Sequence, residues 1–184
     1  LAASTVGFNV VANPYPSHLF NVDTLKVGII GCGGRGSGAA LQAMKADKNV
    51  YLTAMADVFE DRLQTSYQSL IEEVPDKIKV PDNQKFMGFD AYKKLLETDV
   101  DVIILATPPC FRPGHLEAAI NAGKHVFFEK PVAVDAPGIR RVMEVAKKAK
   151  EKKLGFMSGF CWRHDVPKSE TYKRILNGDI GDVL

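Results

Sequence analysis

The chain has 184 residues, of which 46% are hydrophobic and 25% are charged, and its formal net charge at pH 7 is +2. This length allows one sizeable domain and the start of another, and the small charge argues against a nucleic-acid partner. No apolar run reaches the roughly 18 residues of a membrane helix, and three cysteines without a C-x-x-C pair argue against a disulfide scaffold or a zinc site.

The first 24 residues have the composition of the end of an export signal. The segment begins with small and apolar residues, and Val10 and Ala12 have the spacing of a small-residue cleavage site. A loosely packed N-terminal arm is the alternative interpretation. We therefore expect a periplasmic or otherwise exported protein, with a cytoplasmic protein as the alternative.

From Leu25 onward, short apolar runs alternate with helical patterns. Strands are predicted at 25–30, 49–56, 85–89, 100–106, 124–130 and 154–160. Helices are predicted at 34–47, 59–73, 91–98, 113–122 and 136–152. Strands that are apolar throughout and alternate with helices indicate an α/β fold, with a parallel sheet covered on both faces.

A glycine-rich loop lies between the first predicted strand and the first predicted helix. Gly31-x-Gly33-x-x-Gly36 has the spacing of a dinucleotide-binding turn, in the context that this motif requires. Gly31 permits the tight turn, Gly33 lets the backbone approach a pyrophosphate, and Gly36 lets the helix pack closely. Cys32 is expected to be a small residue that fits the loop, and Arg35 either pairs with the pyrophosphate or points to solvent. The predicted cofactor-binding residues of the loop are Gly31, Cys32, Gly33, Gly34, Arg35 and Gly36.

An acidic residue supports the interpretation of this loop. Asp57 ends the second predicted strand about 20 residues after Gly36, where a carboxylate accepts hydrogen bonds from the adenosine ribose. It would also repel a 2′-phosphate, so the expected cofactor is NAD, with NADP less favoured. Arg62 is close enough in sequence to soften that preference. The predicted fold over residues 25–160 is therefore a Rossmann-type, doubly wound parallel sheet.

Three later segments follow the carboxyl ends of strands, the edge at which open α/β sheets bind ligands. They are Ala106-Thr107-Pro108, Glu129-Lys130-Pro131 and the stretch 161–165. All three are expected at the rim that the nicotinamide of the cofactor reaches.

Three stretches of the sequence resemble one protein family. Val27–Gly36, Ala106-Thr107-Pro108 and above all "AGKHVFFEKPVA" (122–133) are similar to the Gfo/Idh/MocA oxidoreductases, which include glucose–fructose oxidoreductase and inositol dehydrogenase. The resemblance covers residues 25–184. The "GGRG" loop and the N-terminal segment are most similar to exported members, which often carry a twin-arginine signal.

The resemblance implies a catalytic role for Lys130, beside the nicotinamide and the reacting substrate carbon. Its ammonium would orient a substrate hydroxyl and stabilise negative charge on that oxygen during hydride transfer. A surface lysine after a strand is the alternative. Glu129 is expected to pair with a cofactor ribose or to position Lys130. The nicotinamide side would be lined by Ala106, Thr107 and Pro108.

Many members of the family carry a histidine shortly after T-P, where this chain has Cys110-Phe111-Arg112-Pro113. His115 is the nearest histidine and is a candidate cofactor contact, with a helix-cap or packing role as the alternative. Arg112 is a second candidate, as a contact for an anion or hydroxyl. After the last strand, Arg163 is a candidate cofactor contact, while Trp162 either stacks on a sugar face or packs against the protein.

The resemblance implies an NAD-dependent oxidoreductase acting on a sugar, a cyclitol or a derivative, without a metal. One alternative is a glycosidase or lyase that oxidises a ring carbon transiently, and another is a non-catalytic NAD-binding fragment. Residues 161–184 would begin the family's second α/β domain, whose D-x-x-x-H arrangement has no counterpart here. We therefore expect a truncated chain that binds NAD without completing catalysis, and a full-length protein that forms a homo-oligomer.

Overall fold

A computed structural model describes residues 24–182 of the chain. One parallel sheet of six strands forms its centre, in the order β3-β2-β1-β4-β5-β6. The strands are β1 (Leu25–Ile30), β2 (Val50–Asp57), β3 (Lys85–Met87), β4 (Val102–Leu105), β5 (His125–Phe128) and β6 (Phe156–Ser158). The predicted α/β, doubly wound parallel sheet is confirmed.

Helices connect successive strands and one further helix follows β6. They are α1 (Gly34–Ala46), α2 (Glu60–Glu73), α3 (Ala91–Leu96), α4 (Arg112–Asn121), α5 (Ala136–Glu151) and α6 (Val166–Leu176). Short 3-10 turns occupy Pro75–Lys77, Asp82–Gln84 and Cys161–His164. The sequence analysis assigned no element after residue 160, so the turn at Cys161–His164 and helix α6 are additions.

The sheet separates two hydrophobic cores. Helices α1 and α2 cover one face, and helices α3, α4 and α5 cover the other. Adjacent strand residues alternate between the cores: Ile103 packs with the second group of helices, whereas Ile104 packs with the first. Burial on both faces is why the strands are apolar at every position rather than at alternate ones.

The strand order reverses between β1 and β4, which are neighbours in the centre of the sheet. From β1 the chain continues to β2 and β3 on one side, and from β4 it continues to β5 and β6 on the other. The loops that leave β1 and β4 therefore separate and open a crevice at the carboxyl edge of the sheet.

Within residues 24–182, none of the helices combines the length and the apolar character needed to cross a bilayer. The predicted export signal, with its cleavage site at Val10 and Ala12, lies outside the described residues.

Candidate functional site

A large open cleft lies over the crevice at the carboxyl edge of the sheet. Its volume is about 1470 Å³. The walls come from the loops that follow each of the six strands, and they include the sequence-predicted residues Gly31, Gly33, Arg35, Asp57, Ala106, Thr107, Pro108, His115, Glu129, Lys130 and Arg163. Cys32 of the same loop, and Gly34 and Gly36 of the first turn of α1, do not line this cleft.

The glycines of the β1–α1 loop have three different environments. Gly31 has a φ of +96°, and a Cβ there would lie 2.8 Å from the backbone of Ala106 and Thr107. A Cβ on Gly36 would collide with the carbonyl oxygen of Gly31. At Gly33 a Cβ would meet only Arg62, at 4.0 Å, because that position faces open space. Two glycines are therefore required by the fold, whereas the third keeps the cleft free.

Helix α1 begins at this loop with its first backbone amides uncapped. Gly33 is the N-cap residue and no side chain there accepts a hydrogen bond, and the first turn holds no acidic residue. Free amides and the positive end of the helix dipole favour an anion at this position. The open space beside Gly33 thus has the electrostatic character that a pyrophosphate requires.

Asp57 forms the wall of the cleft at the end of β2. Its Oδ2 accepts a hydrogen bond from the backbone N–H of Cys32 at 2.6 Å, and its Oδ1 accepts one from the N–H of Phe59 at 3.0 Å. The carboxylate is thereby held in one orientation next to the glycine-rich loop. It remains only partly buried, so it can still accept hydrogen bonds from a ligand.

Cys32 is buried beneath the loop. Its Sγ lies 3.5 Å from the carbonyl oxygen of Ala56. Burial, and next the negative charge of Asp57, raise the pKa of the Cys32 thiol far above its usual value. The side chain is therefore neutral and packs beneath the loop, and contact of Cys32 with a cofactor stays a prediction.

Arg35 and Glu129 face each other across the cleft. Arg35 Nη2 lies 2.6 Å from Glu129 Oε1, although Oε1 has no well-aligned hydrogen bond among the described residues. Glu129 is buried, whereas the side chain of Arg35 is 47% exposed. Arg35 thus forms an ion pair with Glu129, a partner that was not predicted from the sequence.

Arg112 is buried in the same wall and lines the cleft, and its terminal nitrogens are bonded to the backbone. Its Nη1 donates to the carbonyl oxygens of Glu129, at 2.5 Å, and Pro131, and its Nη2 donates to the carbonyl oxygen of Thr107. The sequence analysis proposed Arg112 as an anion or hydroxyl contact. The structure corrects this interpretation, because backbone carbonyls occupy Nη1 and Nη2, and Nε, which has no partner among the described residues, is buried.

Lys130 follows directly after Glu129 and has an exposed side chain at the cleft. Thr107 and Pro108 line the cleft from the neighbouring loop after β4. Strands β4 and β5 are adjacent, which is why their two loops share one rim. The predicted catalytic residue and the predicted nicotinamide-side residues therefore meet at the same edge.

His115 lies in α4 with its ring packed against Tyr92, at a centroid separation of 4.1 Å. Its Nδ1 is 3.3 Å from Thr107 Oγ1. Burial, and next the positive charge of Arg112, lower the pKa of His115 from 6.5 to about 4. The ring is thus neutral at pH 7 and packs on Tyr92. It also lines the cleft, and its contact with a cofactor stays a prediction.

Arg163 and Trp162 line the cleft in the segment that follows β6. The guanidinium of Arg163 sits 5.3 Å from the centre of the Phe160 ring. The indole of Trp162 is 69% exposed, and Lys168 Nζ lies 4.9 Å from its centre. Both residues line the cleft, and the role of each as a ligand contact stays a prediction.

The sequence analysis missed an aromatic group on the Asp57 side of the cleft. Phe59, Phe89 and Phe111 are 59%, 70% and 44% exposed. The ring centroids of Phe89 and Phe111 lie 6.2 Å apart. Each follows a strand, namely β2, β3 and β4, by two to six residues. These residues could have been predicted to line the cleft, because each is a large aromatic residue soon after the carboxyl end of a strand, and that edge of the sheet forms the binding crevice.

Residues 24–182 contain no cluster of three or more His, Cys, Asp or Glu side chains suited to a metal ion.

The sequence of the chain has recognisable relatives. Over residues 25–159 it matches the profile of the Gfo/Idh/MocA proteins, described as an oxidoreductase family with an NAD-binding Rossmann fold. It is 30% identical over 162 residues to an inositol 2-dehydrogenase of Salmonella typhimurium, an alignment that covers 88% of this chain and 44% of that protein. It is 28% identical over 166 residues to the dTDP-3,4-didehydro-2,6-dideoxy-alpha-D-glucose 3-reductase of Actinomadura kijaniata, covering 89% and 44% respectively.

Solved structures show the same relationship. A scyllo-inositol dehydrogenase from Lactobacillus casei, with bound NAD(H) and scyllo-inositol, superposes with a TM-score of 0.67 at 26% identity, covering 86% of this chain and 43% of that one. KijD10, a 3-ketoreductase from Actinomadura kijaniata in complex with NADP, gives a TM-score of 0.66 at 26% identity, covering 86% and 46%. The chain spans less than half the length of these relatives.

Proposed function

Since the chain belongs to the Gfo/Idh/MocA oxidoreductase family, we propose that it binds NAD and serves hydride transfer to or from a sugar, a cyclitol or a derivative. The single observation that carries cofactor binding is the open position at Gly33, next to uncapped amides at the start of α1. A Cβ at that position would fill the space that the phosphates need. The residues of the loop therefore fit a dinucleotide.

The candidate binding residues lie on two sides of the cleft, and each side would hold a different part of the cofactor. The loop at Gly33 would hold the pyrophosphate, and Asp57 would accept hydrogen bonds from the adenosine ribose. On the other side, the buried carboxylate of Glu129 has an oxygen, Oε1, that contacts Arg35 but accepts no aligned hydrogen bond in the described chain. A ribose hydroxyl that donates to this oxygen would satisfy it.

Asp57 supports NAD over NADP as the cofactor of this chain. A 2′-phosphate would have to lie against its carboxylate, which backbone amides hold in place. Relatives differ here, since the scyllo-inositol dehydrogenase was solved with NAD(H) and KijD10 with NADP. Asp57 is thus the residue on which the preference of this chain depends.

Lys130 is the proposed catalytic residue. When bound, the nicotinamide ring would supply the hydride acceptor or donor. The ammonium of Lys130, exposed at the rim, would donate a hydrogen bond to the substrate oxygen and stabilise the negative charge that develops there. Thr107 and Pro108 would shape the adjoining wall.

The substrate class rests on the relatives. An inositol 2-dehydrogenase and a 3-reductase of a dTDP-sugar are among them, and one solved relative holds scyllo-inositol. Each of these compounds carries a ring hydroxyl or ketone, which is the group that Lys130 is proposed to contact. Export and self-association, expected from the sequence, stay predictions.

Calorimetric titration of the chain with NAD tests the proposal first. We expect one binding site, and ADP-ribose should compete for it because it carries the pyrophosphate and both riboses. Failure of both compounds to bind would overturn the proposed function. Incubation of the complete gene product with NAD and cyclitols or free sugars, followed by NADH absorbance, then tests the reaction.

A further inference from the structure

Arg112 is a buried cation at an electrostatically unfavourable position. The residue is 2% exposed, and it is the first residue of α4, where the positive end of the helix dipole lies. A charge buried there is costly unless several acceptors compensate it. Three backbone carbonyls do so, those of Thr107, Glu129 and Pro131.

These carbonyls belong to two loops that are far apart in sequence. Thr107 follows β4, whereas Glu129 and Pro131 follow β5. The last backbone hydrogen bond of this strand pair runs from the N–H of Glu129 to the carbonyl oxygen of Leu105, at 3.0 Å. Past that point no backbone hydrogen bond joins residues 106–111 to residues 130–135 in the described chain. Beyond the end of the sheet, the hydrogen bonds of Arg112 connect the two loops.

The joined loops carry the residues proposed to contact the nicotinamide end of the cofactor and the substrate. One loop presents Thr107 and Pro108, and the other presents Glu129 and Lys130. A shift of about 1 Å between such groups is enough to lower a reaction rate by about 100-fold. A group that fixes the two loops relative to each other would therefore set the width of this rim.

We propose that Arg112 is a positioning residue, which fixes the loop after β4 against the loop after β5 and so sets the geometry of the nicotinamide subsite. This inference rests on the proposed function. Although Arg112 lines the cleft, the inference assigns it no contact with substrate or cofactor, because carbonyls engage Nη1 and Nη2 and the unpartnered Nε is buried. Its effect reaches the ligand through Thr107, Glu129 and Lys130.

The test compares two ligands on the 184-residue chain. ADP probes the glycine-rich loop and Asp57, whereas NADH also probes the rim and reports the nicotinamide environment by its fluorescence. The variants are Arg112→Lys, which keeps a charge but provides no planar fork, and Arg112→Ala. Arg141→Met is the matched control, because Arg141 is exposed and pairs only with Glu117 in the described chain.

We expect both Arg112 variants to bind ADP within about twofold of the parent, and to lose about tenfold in NADH affinity together with much of the nicotinamide fluorescence enhancement. Added guanidinium should partly restore the fluorescence of Arg112→Ala, and Arg141→Met should match the parent. Thermal unfolding of each variant shows whether it is folded, and Arg112→Lys serves if Arg112→Ala does not fold.

Two results would overturn the inference while leaving the proposed function intact. One is an unchanged NADH signal in folded Arg112 variants. The other is an equal loss of ADP and NADH affinity, which would mean that Arg112 supports the fold in general. A parent chain that binds neither ligand would instead overturn the proposed function, and this inference with it.

Discussion

Arg35 and Glu129 form an ion pair between the glycine-rich loop and the end of β5, with Nη2 of Arg35 2.6 Å from Oε1 of Glu129. Both residues line the cleft, so the pair connects the glycine-rich loop to the rim. The close contact with the Glu129 carboxylate raises the pKa of Arg35, while burial opposes this rise. Glu129 is the buried partner, so its carboxylate depends on Arg35 more than Arg35 depends on it.

Replacing one partner should therefore expose this asymmetry. Arg35→Met leaves a buried carboxylate without its cation, and we expect the free energy of unfolding to fall by about 1–2 kcal/mol, a value reduced from that of a fully buried pair because Arg35 is half exposed. Glu129→Gln should cost less, and the double variant should recover part of the loss. Urea denaturation of the four proteins measures the coupling. Strict additivity of the two changes would show that the ion pair does not contribute.

The glycines give the second prediction. Gly33→Val should fold normally, because a Cβ there meets only Arg62 at 4.0 Å, but should lower NAD affinity by more than about 100-fold by blocking the phosphates. Gly36→Val should fail to fold, since its side chain would collide with the carbonyl oxygen of Gly31. Gly38→Ala, in open space on the same helix, is the control. Calorimetry and circular dichroism separate binding from folding, and a Gly33→Val variant that binds NAD like the parent would contradict the proposal.

The fold was predictable from the sequence because its strongest signals are local. Strands such as β4 are apolar throughout, and the glycine spacing fixes a strand–turn–helix unit. Helix α6 was missed although Asp165 and Pro167 mark its start and its apolar residues Tyr172, Ile175 and Leu176 have helical spacing. None of its residues is buried in the described chain. Asp165 is the N-cap residue, and its Oδ1 accepts a hydrogen bond from the Lys168 N–H at 3.0 Å. An aspartate directly before a helix is therefore the sequence signal that could have been used.

Side-chain partners were less predictable than elements. The sequence placed Arg35 and Arg112 at the cleft, but it could not reveal that Arg35 pairs with Glu129 or that Arg112 bonds to backbone carbonyls. These contacts join residues that are 94 and 17 positions apart in the chain. Their geometry depends on how β1, β4 and β5 lie side by side, which spacing alone does not define.

His115 should make stability depend on pH. Its pKa is about 4 in the folded chain and near 6.5 when unfolded, so the unfolded state binds the extra proton between these values. Stability is thus retained above pH 6.5 and lost progressively as the pH falls towards 4, by at most about 3 kcal/mol. His115→Phe should flatten this part of the profile, whereas His164→Gln, at an exposed site, should not. Urea midpoints measured from pH 4 to pH 7 test this prediction. If the midpoint of His115→Phe changes with pH as steeply as that of the parent, His115 is not the source of the pH dependence.

The cofactor preference should respond to Asp57. We expect the parent chain to bind NAD more tightly than NADP, and Asp57→Ala to narrow this difference by weakening NAD binding by about 1.5–3 kcal/mol. The change also removes the acceptor for the Cys32 N–H, so Asp57→Asn, which keeps an acceptor oxygen, is the better-matched variant. Titration of all three proteins with both cofactors gives the ratios. Equal parental affinity for NAD and NADP would remove the basis for the preference.

The last prediction concerns Lys130, whose ammonium stands exposed at the rim between the loops after β4 and β5. If it donates a hydrogen bond to the substrate oxygen as charge develops there, its loss should affect turnover far more than cofactor binding. Lys130→Met keeps most of the length of the side chain and removes the charge. For the complete gene product we expect kcat to fall by about 10²–10⁴-fold, with NAD affinity changed by less than about tenfold. Lys147→Met, an exposed lysine of α5, is the control. Unchanged turnover in Lys130→Met would mean that the rim is not where the reaction occurs, whereas a parallel loss of NAD binding would make Lys130 a cofactor contact rather than a catalytic one.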